Sequence, residues 1–372
     1  MPTVSVILPC RNEELTIGQC IEQILNTFKE NKINGEIIVS DSSTDFSSKI
    51  IKKYDVIHLK HDKIGYGIAC MEAIKEASGK YIIIGDSDGT YDFSQIPLFL
   101  KKLKVGYDLV LGSRIKGDIK KGAMPMLHKY VGNPFLSGVL NIFFKTDISD
   151  AHTGFRAIKK DALDNLNLKT TGMEFASEMI IKAANNRMYI EEVPITYYPR
   201  IGKSSLKSFS DGWRHLRFML MFSPTYLFFI PGTILMILGF IISILMLKGT
   251  ILVNGKDIGL FISAIGSLLS ILGYQIINLG LYSKIYAIHT GFVKEDRLID
   301  FIAKRFPLEK GILLSFAIIS GGVLGLFLLI FKFMKKELLV YSSIFFWLTL
   351  FIIGLSSLFS VFFISMMLVE KK

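Results

Sequence analysis

Four nearly charge-free runs in the C-terminal part of the chain constrain its fold more than any other feature. Each run is long enough to cross the hydrocarbon core of a bilayer as a helix. The runs comprise residues 226–247, 258–282, 311–331 and 344–369. The chain has 372 residues, of which 51% are hydrophobic, and the apolar excess lies in this part. The pattern predicts a C-terminal transmembrane domain of four helices over residues 226–372, rather than a large soluble helical core.

The loops between the runs differ in basic charge. Residues 283–310 carry six Lys or Arg, whereas residues 248–257 carry two and residues 332–343 carry three. The positive-inside rule predicts that the long basic loop is cytosolic. With four spans, both termini then lie on the cytosolic side. We expect no signal peptide, because the start of the chain lacks a basic region followed by an apolar one.

Charge and cysteine content narrow the class of protein further. The net charge of +11 suits a protein held against an anionic membrane leaflet, and no nucleic-acid recognition motif is present. The lipid bilayer is therefore an expected partner, and nucleic acid is not. Three cysteines without metal-ligand spacing are interpreted as reduced cytosolic residues.

The first part of the chain alternates between strand-like and helix-like segments. Strands are predicted at residues 4–8, 36–40, 56–59, 81–85 and 108–112, and helices at 14–29, 44–54, 67–77 and 94–104. This alternation is typical of a mostly parallel, nucleotide-binding α/β sheet. Residues 115–199 are less regular, with a helix predicted near 173–185 and a strand near 189–198. We expect this α/β domain to cover residues 1–205.

An amphipathic helix is predicted between the two domains, over residues 206–225. Apolar side chains fall on one face with basic side chains beside them, as in helices that lie on a membrane surface. The apolar residues are Phe209, Trp213, Leu216 and Leu220, and the basic ones are Arg214, His215 and Arg217. A surface helix packed on the α/β domain is the alternative. Because a span follows within a few residues, we favour the membrane interface.

Glycines recur every seven residues in the second apolar run. They are Gly259, Gly266, Gly273 and Gly280, and the third run carries Gly321 and Gly325. A seven-residue repeat drifts only about 20° per repeat on an ideal helix, so such glycines share a face. Small residues let helices approach closely in a membrane. The glycines are therefore interpreted as helix-packing positions.

Two aspartates follow one of the predicted strands directly. Asp86 and Asp88 come after the β-branched segment of residues 81–85 and are separated by one residue. On an extended chain such positions point the same way. Two carboxylates at the carboxyl end of a strand suit a hard divalent cation that also binds substrate phosphates. A polar turn is the alternative.

Other strands of the predicted sheet also end in polar residues, which is expected at the rim of a nucleotide pocket. Gly65 precedes a helix, where backbone amides can approach a phosphate. The segments are Pro9-Cys-Arg-Asn12-Glu13, Asp41-Ser-Ser-Thr-Asp45, Gly65-Tyr-Gly67-Ile-Ala69, Gly112-Ser-Arg114 and Asp150-Ala-His152-Thr-Gly154-Phe155-Arg156.

The order of these segments resembles family 2 glycosyltransferases of GT-A fold. More narrowly, it is similar to the polyprenyl-phosphate glycosyltransferases typified by dolichol-phosphate mannose synthase, over about residues 1–206. The resemblance implies Mg²⁺ or Mn²⁺ as cofactor, held by Asp86 and Asp88 on a nucleotide diphosphate. It places Pro9, Asn12, Glu13, Asp41, Gly65 and Asp86 at the nucleotide-sugar. It places Arg114, Arg200, Lys203 and Ser204 at the acceptor phosphate, and it makes Asp88, Arg114, Asp150 and Glu178 the catalytic set.

Two departures from the family pattern affect specificity. Relatives often carry Gln two places after the second aspartate, where this chain has Thr90. Relatives also read Gly-x-Ser-Lys-Leu near the membrane, whereas this chain places Lys203 two positions earlier. We weakly favour a UDP-sugar for these reasons, and UDP-glucose, UDP-N-acetylglucosamine and GDP-mannose stay open.

The sequence thus predicts an inverting, metal-dependent transfer of one hexose or N-acetylhexosamine to a dolichyl or undecaprenyl phosphate. A lipid phosphate monoester carries about −1.5 to −2 charge at pH 7 and hardly needs a general base. The rivals are a processive polysaccharide synthase and a non-catalytic scaffold or flippase. The junction Gly212-Trp-Arg-His215 lacks the synthase signature Gln-x-x-Arg-Trp, and the intact acidic residues argue against a scaffold. A homo-oligomer stays open.

Overall fold

The chain divides into two compact units, Met1–Met219 and Leu220–Lys372. The computed structural model describes residues 2–202, 208–247, 252–253, 256–289, 297–305, 307–335 and 342–369. The division into units falls inside the helix that the sequence predicts between the two domains. Lys203 and Ser204 of the predicted acceptor site lie outside the described residues.

Unit 1 is built on a seven-stranded sheet. Its strands are β1 (Val4–Cys10), β2 (Gly35–Asp41), β3 (Ile57–Lys60), β4 (Tyr81–Ile84), β5 (Leu109–Ile119), β6 (Arg156–Lys159) and β7 (Ile190–Tyr197). Their order across the sheet is β3-β2-β1-β4-β6-β5-β7. β6 runs antiparallel to β4 and β5, and the other neighbouring strands are parallel. The predicted mostly parallel sheet is confirmed.

Helices connect these strands along the first part of the chain. They are α1 (Ile17–Glu30), α2 (Ser47–Ile51), α3 (Tyr66–Glu76), α4 (Ile96–Val105), α5 (Asn133–Phe144), α6 (Lys160–Leu166), α7 (Phe175–Asn185) and α8 (Ser208–Met221). The sequence predicted the alternation up to β5 and the positions of α7 and β7. It missed α5, β6 and α6, which lie in the stretch interpreted as less regular.

The core of unit 1 follows from the hydrophobic patterning. All four residues of β4 are buried, as expected for a central strand covered on both faces. Apolar residues of α1 recur every three or four positions, so they form one buried face. In the core of unit 1, the rings of Phe93 and Phe99 pack on the ring of Phe155. Their centroids lie 5.4 Å and 4.4 Å, respectively, from the centroid of the Phe155 ring.

The parallel strands β2, β1 and β4 deliver their carboxyl ends to one edge of the sheet. Cys10 of β1 is in register with Asp41 of β2, and Ile7 is in register with Ile84 of β4. The residues that follow these strands therefore converge at this edge. This convergence positions the candidate site described below.

Unit 2 is helical. Its helices are α9 (Ile230–Leu245), α10 (Gly259–His289), α11 (Arg297–Arg305), α12 (Leu308–Met334) and α13 (Ser343–Val369). Among the described residues, four helical segments are long and apolar enough to cross a membrane: Thr225–Leu245, Gly259–His289, Leu308–Met334 and Ser343–Leu368. The four predicted spans are confirmed as apolar helices. α10 extends seven residues beyond the predicted run, into the stretch that was predicted to be a loop.

Close backbone contact joins α9 to α10. A Cβ atom at Gly239 would lie 2.4 Å from the Ser270 nitrogen, and one at Gly273 would lie 2.4 Å from the Met236 nitrogen. Gly266 and Gly273 therefore pack as predicted. The prediction for the third span is right for Gly325, which packs against the Trp347 ring, and wrong for Gly321, which faces open space.

Hydroxyl groups join α10 to α13 along most of their length. Ser267 pairs with Thr349 at 2.5 Å, Tyr274 with Ser357 at 2.6 Å, and Tyr282 with Ser360 at 2.9 Å. Away from water, such groups need internal partners, and interhelical hydrogen bonds supply them.

We expect Gly273→Val to destabilise unit 2, because its side chain would occupy the space of the α9 backbone. Gly321→Val is the matched control: it makes the same change in a helix of the same unit, at a position with no atom within 4 Å of the new Cβ. Detergent-purified variants would be heated and analysed by fluorescence-detected size exclusion. Gly273→Val should lose its monodisperse peak at a temperature several degrees lower than Gly321→Val. Equal melting of the two variants would contradict the packing.

Candidate active site

The candidate site begins where β1, β2 and β4 end. Asn12 follows β1 in a left-handed backbone conformation with φ of 60°, and its side-chain oxygen accepts a hydrogen bond from the Thr44 backbone N–H at 2.8 Å. The carbonyl of Pro9 accepts the Ser87 hydroxyl at 2.7 Å. These contacts tie the loops after β1, β2 and β4 together. The structure therefore brings most of the predicted nucleotide-binding residues to one edge.

Asp86 presents an unsatisfied carboxylate oxygen. Its Oδ1 atom is buried and has no hydrogen-bond partner among the described residues. Burial and the neighbouring Asp88 raise the pKa of Asp86 to about 7, although the Tyr66 hydroxyl donates a hydrogen bond to it. The backbone of Gly154 packs directly on the carboxylate, since a Cβ there would lie 2.3 Å from Oδ2. One oxygen of this buried carboxylate therefore has no hydrogen-bond partner among the described residues.

Asp88 is more fully engaged. Its Oδ1 accepts hydrogen bonds from the Thr90 backbone N–H at 3.1 Å and from the Thr90 hydroxyl at 2.6 Å. Its Oδ2 pairs with the Arg200 guanidinium at 2.6 Å. Thr90, one of the two departures from the family pattern, therefore orients the second aspartate of the pair.

Arg200 bridges two carboxylates at this edge. One guanidinium nitrogen contacts Asp88 and the other contacts Glu13. Burial raises the pKa of Glu13 to about 7, even though Arg200 favours the charged form, and Asp88 adds to the increase. The sequence predicted Arg200 beside the acceptor phosphate with Lys203 and Ser204. The structure instead seats its guanidinium on the carboxylates assigned to the metal and the nucleotide.

The donor set at this edge fits a hard divalent cation. Two carboxylates separated by one residue, one with an unsatisfied oxygen, match the few protein ligands that Mg²⁺ takes when substrate phosphates complete its shell. Within the described residues no group of three or more His, Cys, Asp or Glu side chains is arranged to hold a metal. Asp86 and Asp88 are the two carboxylates at this edge that would hold such an ion.

Arg114 and Asp150, both placed in the catalytic set by the family resemblance, bind each other. The Arg114 Nε–Oδ2 and Nη2–Oδ1 distances are both 2.7 Å, and the Arg114 backbone N–H also donates to Oδ2 at 3.0 Å. Asp150 raises the pKa of the buried guanidinium, outweighing the opposite effect of burial. The guanidinium also lies 5.1 Å from the centre of the Tyr197 ring. Asp150 thus fixes a permanently charged arginine in one orientation.

Glu192 holds the turn that carries Asp150. It accepts hydrogen bonds from the backbone N–H groups of Ser149 and Asp150 at 3.0 and 3.1 Å, and it pairs with Lys116 at 2.7 Å. Sequence reasoning missed Glu192. Its place within β7 gives no signal, because a charged residue in an alternating strand is usually solvent-exposed.

Glu178 is enclosed by the protein. Its carboxylate is fully buried, pairs with Lys182 at 2.8 Å and accepts the backbone N–H groups of Lys169 and Thr170. It therefore orders the turn at residues 169–171. The same turn packs on Gly65, where a Cβ atom would lie 2.4 Å from the Thr171 carbonyl oxygen.

Asp41 is also fully buried, although it was predicted to contact the nucleotide. Its Oδ1 accepts the Ser43 backbone N–H at 2.8 Å, and its Oδ2 contacts His58 at 2.9 Å and Lys60 at 3.4 Å. Burial favours the neutral acid, but the hydrogen bonds from Ser43, Ser48 and His58 outweigh it and lower the pKa of Asp41 to about 2. The carboxylate organises the loop after β2.

A buried arginine behind the acidic pair was also missed. Arg156 is 1% exposed, and its guanidinium donates to the backbone carbonyls of Thr153 and Ala176. Its charge offsets a small part of the increase in the pKa of Asp86. The sequence signal was the end of the Asp150–Arg156 motif, where the arginine directly follows Gly-Phe.

Comparisons with known proteins identify the family. Residues 5–166 match glycosyl transferase family 2, and residues 281–368 match the glycosyltransferase family 2 C-terminal transmembrane region. The chain is 40% identical over 323 residues to the low-salt glycan biosynthesis hexosyltransferase Agl6 of Haloferax volcanii, covering 87% of this chain and 78% of that protein. It is 29% identical over 212 residues to the dolichyl-phosphate hexose transferase of the same organism, covering 56% of this chain and 89% of that protein.

A solved structure agrees with the fold. A crystal structure of a mycobacterial protein superimposes with a TM-score of 0.50 at 18% identity, covering 59% of this chain and 74% of that chain. The chain belongs to glycosyl transferase family 2, and it is a glycosyltransferase with a GT-A domain. The matched transmembrane region and the four apolar helices make it a membrane protein.

Proposed function

We propose that this glycosyltransferase moves a single hexose or N-acetylhexosamine from a nucleotide-sugar to a polyprenyl phosphate, with inversion at the sugar carbon. The observation that carries the proposal is the Asp86–Asp88 pair at the carboxyl end of β4, with an unsatisfied oxygen on Asp86. The hexosyltransferase and dolichyl-phosphate hexose transferase named above support the sugar class and the acceptor class. The membrane helices support a lipid acceptor.

The chemistry requires close approach of two anions. When bound, Mg²⁺ or Mn²⁺ would neutralise the departing diphosphate. The residues of this chain then have to bring an acceptor phosphate to the sugar against the repulsion of the carboxylates. Arg114 is suited to this task because Asp150 holds its guanidinium in a fixed orientation and burial limits its screening by water.

Arg200 is proposed to exchange partners during the reaction. With no substrate present, its guanidinium balances Asp88 and Glu13. Substrate phosphates and a metal ion would compete for both sides of these ion pairs. Arg200 would then be released to a phosphate, which its two-pronged geometry suits. Lys203 and Ser204 are proposed to join it at the acceptor.

The roles of the remaining residues follow from their contacts. Pro9, Asn12 and Glu13 would line the nucleotide pocket directly. Asp41, Glu178 and Gly65 would shape the pocket through the loops that they order. The nucleotide-sugar stays open among UDP-glucose, UDP-N-acetylglucosamine and GDP-mannose, and a UDP-sugar remains our preference.

We expect Asp88→Asn to fold and insert normally but to retain less than about a tenth of the wild-type rate. This corresponds to an activation barrier more than about 1.4 kcal/mol higher than that of the wild type. An amide cannot supply the charge of a metal ligand. Asp118→Asn, at an exposed carboxylate paired with Lys120, is the control. The assay combines detergent-solubilised protein, a polyprenyl phosphate, Mn²⁺ and a panel of labelled nucleotide-sugars. Near-normal transfer by Asp88→Asn would refute the metal assignment, and a polymeric product would favour a processive synthase.

We expect Arg200→Ala to bind Mn²⁺ at least threefold more tightly than the wild type when no nucleotide is present. Removing the guanidinium leaves Asp88 and Glu13 without their counter-ion, so a metal cation has less to displace. Titration calorimetry of the purified proteins measures this affinity. Lys101→Ala, which removes one exposed positive charge from α4, controls for net charge. Unchanged or weaker Mn²⁺ binding by Arg200→Ala would show that its guanidinium does not compete with the metal.

The catalytic domain and both termini are proposed to be cytosolic, on the basis of the basic loop at residues 283–310. Single cysteines would replace Lys294 and Lys256 in a background without the native cysteines. In intact cells, an impermeant thiol reagent should label the cysteine at position 256 and spare the one at 294. Equal labelling at both positions would overturn the orientation.

A further inference from the structure

His152 lies in the middle of a turn, residues 150–154, whose backbone is held by neighbouring elements. Three backbone N–H groups of the turn donate to side chains, at 3.1, 3.1 and 2.7 Å. The pairs are Asp150 with Glu192, Ala151 with Ser137, and Gly154 with Tyr91. The Arg156 guanidinium donates to the Thr153 carbonyl at 3.1 Å. The His152 side chain takes no part in these hydrogen bonds, so the turn does not need its nitrogens.

Both nitrogens of the His152 ring are buried. Neither Nδ1 nor Nε2 has a hydrogen-bond partner among the described residues. A buried polar group left unpaired costs about 1–3 kcal/mol, and an apolar ring of the same shape would avoid this cost. A histidine at this position therefore calls for an explanation other than folding.

Basic side chains surround the ring. Burial holds the pKa of His152 well below its usual range, and the charges of His215, Arg114 and Arg156 lower it further. At neutral pH the imidazole is therefore uncharged, with one N–H donor and one acceptor nitrogen. Positive charges in a partly desolvated place favour an anionic oxygen as the partner of that donor.

The ring lies on the Arg114 side of the site. His152 follows two residues after Asp150, whose carboxylate holds the Arg114 guanidinium through two contacts of 2.7 Å. The residue as a whole is partly exposed, although its ring nitrogens are buried. The torsion about the Cβ–Cγ bond of histidine is broad, so rotation of the ring would carry a nitrogen towards the exposed side.

A second histidine packs on the ring without restraining it by a hydrogen bond. The rings of His152 and His215 meet edge to face, with centroids 4.3 Å apart and planes at 72°. Nδ1 of His215 pairs with the Ser177 hydroxyl of α7 at 2.8 Å. His215 is therefore tied to α7, whereas His152 can turn without breaking a hydrogen bond to the described residues.

We propose that His152 binds the acceptor phosphate together with Arg114, by donating its ring N–H to a phosphate oxygen. The turn at residues 150–154 holds the imidazole and the guanidinium on one side of the site before the phosphate arrives. The ligand chemistry is that of a phosphate monoester. Its assignment to a polyprenyl phosphate rests on the proposed function.

The stability of an apolar replacement separates the cost of the two nitrogens from their use. We expect His152→Phe, purified in detergent as the full-length protein without substrate, to melt at or above the temperature of the wild type, because no buried nitrogen remains unpaired. His61→Phe is the matched control, since it removes a ring whose Nε2 pairs with Ser40 at 2.8 Å, and it should melt lower. A large loss of stability in both His152→Phe and the smaller His152→Leu would show that the imidazole is structural, and would overturn the proposal.

Stabilisation by added ligand tests the phosphate contact without requiring transfer. Polyprenyl phosphate should raise the melting temperature of the wild type, because a ligand that binds the folded state stabilises it. We expect His152→Phe to show less than about half of this rise, and His152→Gln, which keeps a donor and an acceptor, to recover most of it. The corresponding polyprenol and inorganic phosphate, each added alone, control for the lipid chain and for the free anion.

The outcomes of this titration are distinct. An equal rise for the wild type and His152→Phe would leave the proposed function intact and remove His152 from the acceptor site. A wild type that gains nothing from polyprenyl phosphate would overturn the proposed acceptor and this inference with it. A rise with inorganic phosphate alone that is lost in His152→Phe would support the contact but exclude the lipid as its source.

Steady-state kinetics supply a second readout for the same variants. His152→Phe should raise the apparent KM for polyprenyl phosphate at least about fivefold and leave that for the nucleotide-sugar within about twofold, since it removes a contact to one substrate only. His152→Gln should restore the lower value. An equal rise of both KM values, or no recovery in His152→Gln, would point to a general disturbance of the site and contradict a direct contact.

Discussion

Mutual repulsion among carboxylates at one edge of the sheet is the constraint on which the rest of unit 1 depends. Asp86, Asp88 and Glu13 are brought together because β1 and β4 are neighbouring parallel strands. Such a cluster is unfavourable unless cations or protons compensate it. Burial, and after it the charge of Asp88, raises the pKa of Asp86 and of Glu13, and the guanidinium of Arg200 bridges Asp88 and Glu13. These are the compensation present in the protein itself. A cationic ligand would relieve the same repulsion.

Much of this arrangement could be predicted from the sequence. Buried β-branched runs and regular alternation revealed β1 to β5, and the charge-free runs revealed the four spans. The acidic pair was recognisable because the two aspartates directly follow a buried strand, β4. Relations between distant parts of the chain were not recognisable. Arg200 lies 112 residues from Asp88, and no local pattern indicates that the two side chains meet.

The missed elements have the same cause. β6 is only four residues long, and two of these are charged, so it has no strand signature of its own. It exists because β4 and β5 leave a gap that its backbone fills in antiparallel orientation. Glu178 was placed in the catalytic set by its position in the family pattern. Its burial against Lys182 and the turn at residues 169–171 could be seen only once the fold was known.

The hydroxyl pairs between α10 and α13 have a consequence for how unit 2 is made. Each such bond contributes only about 0.6 kcal/mol, but three along one interface specify the register of the two helices, because a slip would leave several hydroxyls unpaired in lipid. α9 and α10 are consecutive and meet through glycine, so they can close as a hairpin early in synthesis. α13 is made last and finds its partner about 80 residues back along the chain. Biogenesis of this half of the protein therefore ends with a recognition step inside the bilayer, and a chain that stops before α13 would present an unmatched row of hydroxyls to quality-control proteases.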